Sequence, residues 1–186
     1  MHCATMVVTD ERPSEAVLSA VLVPFYQIKF DWCALGGRYT GLLIAAEGAE
    51  TLTGGRQMTP AEEWHSKMAD EIGAKFHMPA ASGTGVDAVW KKYFRGCYIQ
   101  DLPRALILRG EWHEAPLCSI HMIVTTMQFL KRQGIVCRDP NEFMSTVSEE
   151  ELHEEQALRD EWKKKLLSVL DTVDDDEWLS LVDCHY

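Results

Sequence analysis

The chain has 186 residues, of which 46% are hydrophobic and 25% charged, enough apolar side chain to bury a sizeable core without disulfide staples. Its net charge of −11 is uneven: residues 147–186 hold thirteen acids and four bases, which leaves the rest nearly neutral. This balance argues against duplex nucleic acid, which needs clustered Lys and Arg, and no apolar run approaches the roughly 20 residues of a membrane-spanning helix.

One domain is expected, 1–186. The start, MHCATMVVTDE, has no basic region ahead of an apolar stretch, so the expected location is cytoplasmic. The six cysteines are widely spaced, without C-x-x-C, and read as buried or semi-buried thiols.

In chain order, residues 3–9 predict a strand. Ser14 sits as a helix N-cap, and Val17, Leu18, Val21, Leu22 and Phe25 recur at helical spacing, so a helix is expected to end before Pro24, with a strand as the alternative. A glycine loop at Gly36-Gly37 then feeds a strand over 38–46. A second Gly-Gly-Arg, Gly54 to Arg56, reads as turn chemistry. Thr59-Pro60 with Glu62 opens a helix to about Lys75, and 81–85 is a break.

Asp87 to Tyr93 predicts a further helix, with Lys91, Lys92 and Arg95 as a basic cluster. Arg104 to Arg109 predicts a strand turned by Gly110, and 119–132 a helix with Ile120, Val124 and Met127 inward. Ser148 with Glu151 caps a long acidic helix over about 148–170 that buries Leu158, Trp162, Leu166 and Val169. The segment 178–186 predicts a closing strand, Leu179 and Leu181 alternating against Ser180 and Asp183. The pattern implies an α+β fold: a small, mainly antiparallel sheet with helices on one face and a ferredoxin-like tendency.

Three clusters carry candidate chemistry. Gly36-Gly37-Arg38 can form an anion-binding nest with a bidentate guanidinium, and Trp32 and Tyr39 can stack on a base. Neither G-x-G-x-x-G nor G-x-x-x-x-G-K-[ST] is present, and a tight turn with Arg38 pairing Asp31 competes with this reading. Glu111-Trp112-His113-Glu114 places an imidazole between carboxylates; His113, His121 and His185 with Asp183 would suffice for a metal only if the fold gathered them. H-E-x-x-H is absent, and no metal or cofactor is expected. Cys184 and His185 are neighbours on a strand and so point to opposite faces, which rules them out as a nucleophile and its base.

Three segments, DWCALGGRYTG, RGEWHE and the terminal DDEWLSLVDCHY, resemble in order a family of small uncharacterised bacteriophage and bacterial proteins. Its members carry a Trp-Asp-Trp-Tyr-x-x-Gly-Gly-Arg-Trp-x-Gly block, a Gly-x-Trp-His-Glu block and an ending close to Val-Asp-x-His-Ile. The N-terminal strand, helix and Pro-Phe exit also look like that family's. Matching positions are Asp31, Trp32, Gly36, Gly37, Arg38, Gly41, Gly110, Trp112, His113, Glu114, Asp183 and His185; Phe30, Cys33 and Tyr39 depart from the pattern and thin its aromatic box.

The resemblance implies a phage-type accessory protein, not a mechanism. The leading expectation is a counter-defence inhibitor in the host cytoplasm that binds a small nucleotide or a host protein without catalysis. The expected ligand-binding residues are Asp31, Trp32, Gly36, Gly37, Arg38, Tyr39, Trp112, His113, Glu114, Asp183 and His185. The acidic stretch Glu149, Glu150, Glu151, Glu154 and Glu155 is the expected partner face, and a homodimer is compatible with it. A metal-assisted or His/Asp-based hydrolase acting on a nucleotide, and a structural component, stand as alternatives.

Overall fold

The computed structural model describes residues 2–52, 85–97, 102–116, 119–132 and 134–185. The second Gly-Gly-Arg, the helix expected to Lys75 and the 81–85 break lie outside the described residues, apart from Gly85. The backbone groups into two compact units, one made of residues up to 114 with those from 170 onward, the other of 115–169.

The larger unit opens with β1 (His2–Thr9) and α1 (Glu15–Leu22). Ser14 caps α1 through its Oγ, which accepts the Val17 amide at 3.2 Å. A 3-10 turn over Val23–Phe25 takes Pro24 where its missing N–H costs nothing. The β strands that follow are β2 (Trp32–Leu35), β3 (Leu43–Ala45), β4 (Thr51–Leu52), β5 (Gly85–Val86), β6 (Ala88–Trp90), β7 (Phe94–Cys97), β8 (Ala105–Leu108), β9 (Glu111–Glu114) and β10 (Trp178–His185).

Among the described residues seven strands form one sheet in the order β4-β6-β10-β1-β8-β9, with β2 also paired to β10. β5, β3 and β7 form a second, antiparallel sheet. The expected α+β class with a mainly antiparallel sheet holds. β1 and β8 pair directly and in parallel, whereas a ferredoxin-like split βαβ would insert a strand between them; the likeness to that fold stops at its strand–helix–strand opening.

Cross-strand partners share a face, so the register assigns every side chain. One face of the large sheet carries Cys3, Val7, Ile107, Val182 and Cys184, closed by Leu18 and Leu22 of α1 and by Phe30. Trp112, at the edge strand β9, joins this side against Phe25 at 5.2 Å and Phe30 at 6.4 Å. The opposite face carries His2, Ala4 and Met6 of β1 with Leu181, Asp183 and His185 of β10.

Four expectations need correction. The strand expected from Arg38 begins only at Leu43, because positive φ at Gly36, Gly37 and Gly41 breaks the extended run; the strand lies earlier, at Trp32–Leu35. Asp87 to Tyr93 is not helical: Ala88–Trp90 pairs antiparallel with Trp178–Ser180, and burial between strands overrides local propensity. The closing strand expected over 178–186 is present as Trp178–His185, but the alternation of Leu179 and Leu181 against Ser180 and Asp183 does not separate a buried from a solvated face, since Trp178 through Cys184 are all buried. Leu158 is exposed, while Trp162 and Leu166 of the same helix are buried as expected.

The Arg109-Gly110 turn joins β8 to β9 with φ of 51° and 78°, the left-handed pair that a two-residue hairpin matching strand twist requires. The smaller unit contains α2 (Ser119–Arg132), α3 (Pro140–Met144) and α4 (Glu149–Leu170). The Ser148 Oγ accepts the Glu151 amide, and the Glu151 carboxylate accepts the Ser148 amide, closing the expected capping box.

Candidate functional site

β10 is bonded along one edge by β1, but its other edge is shared. β6 covers Trp178–Ser180 and β2 covers Val182–His185, which leaves Leu181 at the join. There the Gly36 amide donates to the Leu181 carbonyl, and the Leu181 amide donates to the Asp87 carbonyl, both at 2.8 Å. The glycine turn is thereby pinned against the sheet, over two buried carboxylates. The Asp87 Oδ1 accepts the Gly41 amide at 2.9 Å. A Cβ on Gly36 would lie 2.6 Å from the Asp87 Cγ, and one on Gly37 2.5 Å from the Asp183 Cβ. Gly36 and Gly37 are therefore demanded twice, by φ of 68° and 53° and by space.

Beside this turn two imidazoles are each held by a carboxylate. His2 and His185 face one another across β1 and β10, with ring centroids 4.9 Å apart. The His2 Nδ1 meets the Asp183 Oδ1 at 2.8 Å, and the His185 Nδ1 meets the Asp31 Oδ1 at 2.7 Å. A carboxylate accepts only, so Nδ1 carries the proton in each pair, and in the neutral imidazole Nε2 presents a lone pair. The Trp32 indole stands edge-on to the His2 ring at 5.8 Å. Asp183 is buried, Asp31 exposed. The hydrogen bond from His185 holds the Asp31 carboxyl below its ordinary range.

Of the residues expected to bind a ligand, the structure gathers Asp31, Trp32, Gly36, Gly37, Asp183 and His185. Tyr39 closes the 3-10 turn that follows, its amide donating to the Gly36 carbonyl. The side chains of Arg38 and His121 lie outside the described part of the structure, and with them the turn reading that paired Arg38 with Asp31. His113 stands apart. It pairs with Leu106, and Leu106 with Met6, four residues along β1 from His2. At about 3.3 Å per residue and 4.8 Å per strand, the Cα atoms of His113 and His2 are roughly 16 Å apart. Trp112 and Glu114 point to the other face. There the Glu114 Oε2 accepts the Trp112 Nε1–H at 3.2 Å and the Lys29 ammonium at 2.8 Å. They hold the sheet edge.

Two residues of this site went unmarked in the sequence. His2 carries no local motif, and only antiparallel pairing with the far end of the chain sets it opposite His185. Asp87 lies in what reads as a helix start, where a carboxylate suggests a cap and not a buried acceptor.

The thiols contribute no nucleophile here. Cys3, Cys184 and Cys33 lie side by side across three strands on the α1 face, and burial pushes the Cys184 thiol well above its usual range. The Cys97 thiol is likewise pushed up by burial, to about 12.

In the smaller unit a groove of about 380 Å3 is lined by Ile120 and Val124 of α2, Met144 of α3, and Leu152, Glu155 and Arg159 of α4. The acidic stretch divides around it. Glu149, Glu150 and Glu154 are exposed, Glu151 is engaged by Ser148, and Glu155 faces the groove with its Oε2 shielded from solvent.

Two outcomes test this geometry. Gly37→Ala adds a clash with Asp183 to the cost of left-handed backbone, so it lowers stability by about 2–5 kcal/mol in thermal unfolding. Gly48→Ala, at φ 78° with open space around it, costs only the backbone part, about 1–2 kcal/mol. In a carboxyl-carbon NMR titration Asp31 has its midpoint below 3.8, and His185→Ala moves that midpoint upward. Because the folded value is depressed, the stabilisation from this pair is present above the unfolded value and is lost as pH falls through the folded one. No family model, curated protein or solved structure matches the chain.

Proposed function

We propose that this protein is a phage-type accessory binding protein, a counter-defence inhibitor that sequesters a small nucleotide or occludes a host protein without turning it over. The observation that carries this reading is the meeting of Trp32, the glycine turn and two carboxylate-held imidazoles at one end of β1, β2 and β10. An indole and two ring nitrogens on a rigid sheet end suit the planar base of a nucleotide: stacking is worth about 1–3 kcal/mol per base, and an Nε2 lone pair accepts a hydrogen bond from a base N–H. The thiols beside them lie on the opposite face, Cys3 and Cys184 buried and Cys33 half-buried, so the site has recognition groups without a thiolate nucleophile. The exposed acids of α4 and the groove next to them would take a basic host surface.

One observation favours the second reading, a His/Asp-based hydrolase acting on nucleotides: each imidazole is oriented by its carboxylate as a general base is. The same nucleotide panel separates the two.

Calorimetric titration with mono-, di- and cyclic nucleotides is expected to show binding. Trp32→Ala should weaken it by about 1–3 kcal/mol, roughly 5- to 150-fold, and His113→Ala should leave it unchanged. Absence of binding across the panel, together with unaltered capture of host proteins after joint charge reversal of Glu149, Glu150 and Glu154, would overturn the proposal. Turnover of any nucleotide that is lost in His185→Ala would establish the hydrolase instead.

A further inference from the structure

We infer that His2 and His185 form a binding site for a borderline divalent transition metal of the zinc and cobalt class, coordinated through both Nε2 atoms. The two residues are register partners on neighbouring antiparallel strands, so their spacing is fixed by sheet hydrogen bonds and not by flexible loops. Their ring centroids lie 4.9 Å apart with planes at 66°. Two imidazoles bound through Nε2 to one ion at about 2.0–2.1 Å, with angles between 90° and 109°, have centroids roughly 4.5–5.2 Å apart. The observed separation falls inside that interval before any ion is added.

Each imidazole also has the outer partner that metal-bound histidines have. The Asp183 and Asp31 carboxylates accept from the Nδ1 atoms at 2.8 and 2.7 Å, which orients both rings and leaves Nε2 as the metal-facing nitrogen of the neutral imidazole. One His–Asp pair is an ordinary way to satisfy a histidine. Two such pairs, supplied by different segments, with rings in contact and neither Nε2 hydrogen-bonded among the described residues, match the requirement of a two-histidine site. The anchoring is graded too: Asp183 is 1% exposed and held by the strand, whereas the His185 side chain is 39% exposed and gives an ion its way in.

The described residues gather no group of three His, Cys, Asp or Glu that could hold a metal. The described residues therefore supply two ligands, and water or oxygen donors of a bound molecule complete the sphere, as in sites that keep open positions. Cys3 and Cys184 cannot join, because they lie one residue away on the opposite face.

The site is shared with the binding reading above, but its premise is separate, because the metal is titrated alone. Tag-free, chelator-treated full-length protein is titrated with Zn2+ by calorimetry and with Co2+ by visible absorption. One ion per chain is expected, together with ligand-field bands that His185→Ala abolishes. His2→Gln keeps a donor for Asp183 and so tests the second ligand without orphaning a buried carboxylate; it too should lose the ion while circular dichroism stays unchanged. Asp31→Asn should weaken binding about 10- to 100-fold through its outer-shell role. Binding that survives His185→Ala, or absence of uptake by the unsubstituted protein, overturns the site. Either result leaves a nucleotide titration without metal to be judged on its own.

Discussion

The second edge of β10 governs the rest of the molecule. Trp178 through Cys184 are withdrawn from water, so every backbone N–H and C=O on that strand must find a partner inside the protein, at a cost of about 1–3 kcal/mol for each group left without one. β1 satisfies one edge over the full length. On the other, β6 and β2 are each too short, and neither pairs the backbone of Leu181 at their junction. The Gly36 amide and the Asp87 carbonyl fill that gap. Only a backbone without Cβ can come close enough to do so while turning, which is why two glycines with positive φ stand where β2 ends. The glycine turn is a closure device for the central strand. Its position against Asp87 and Asp183 follows from that task.

Closure brings a second constraint. A carboxylate in an interior is tolerated only when charge or hydrogen-bond donors meet it, and Asp183 is 1% exposed. The His2 Nδ1–H meets it from the neighbouring strand, and the Asp87 carboxylate takes the Gly41 amide. The His185–Asp31 pair differs in kind. It is solvent-exposed, where ion pairs add little to stability, so its short geometry matters for the orientation of the ring and hardly for the fold. A strong inner pair and a weak outer one thus aim two rings at the same end of the sheet, by different means.

What the sequence disclosed, and what it hid, divides along locality. Ser14 with the Leu18 and Leu22 stripe announces α1, and Ser148 with Glu151 announces α4, because caps and helical periods are written within one segment. The RALIL run and the Arg109-Gly110 turn likewise carry their own signal. Trp32–Leu35 gave none: four half-buried residues become a strand only because Val182–His185 lies beside them. Residues 88–90 looked helical for the same reason, since a short apolar run has no period of its own and its pairing with Trp178 is a long-range fact. Of the candidate site, the glycines, Asp31, Trp32, Asp183 and His185 could be marked from their residue types, but His2 could not. His113, equally conspicuous beside Glu111 and Glu114, lies elsewhere because strand alternation and the position of β9 at the sheet edge are invisible in a tetrapeptide.

Alternation also explains why a cysteine sits between Asp183 and His185. Across β1, β10 and β2 the row Cys3, Cys184, Cys33 faces α1, and the next row out, His2, His185, Trp32, faces the other way. A slip of one residue in β10 would exchange the rows, sending the imidazole of His185 and the carboxylate of Asp183 into the apolar layer of Leu18, Leu22 and Phe30. Burying those groups without partners costs several kcal/mol, far more than the packing of one small thiol returns. The register is therefore protected from both sides: Val182 and Cys184 favour the core, and their neighbours are refused by it. Cys184 contributes no reactivity to the histidine beside it. Its burial fixes which face His185 occupies, and so holds the two imidazoles within reach of one another.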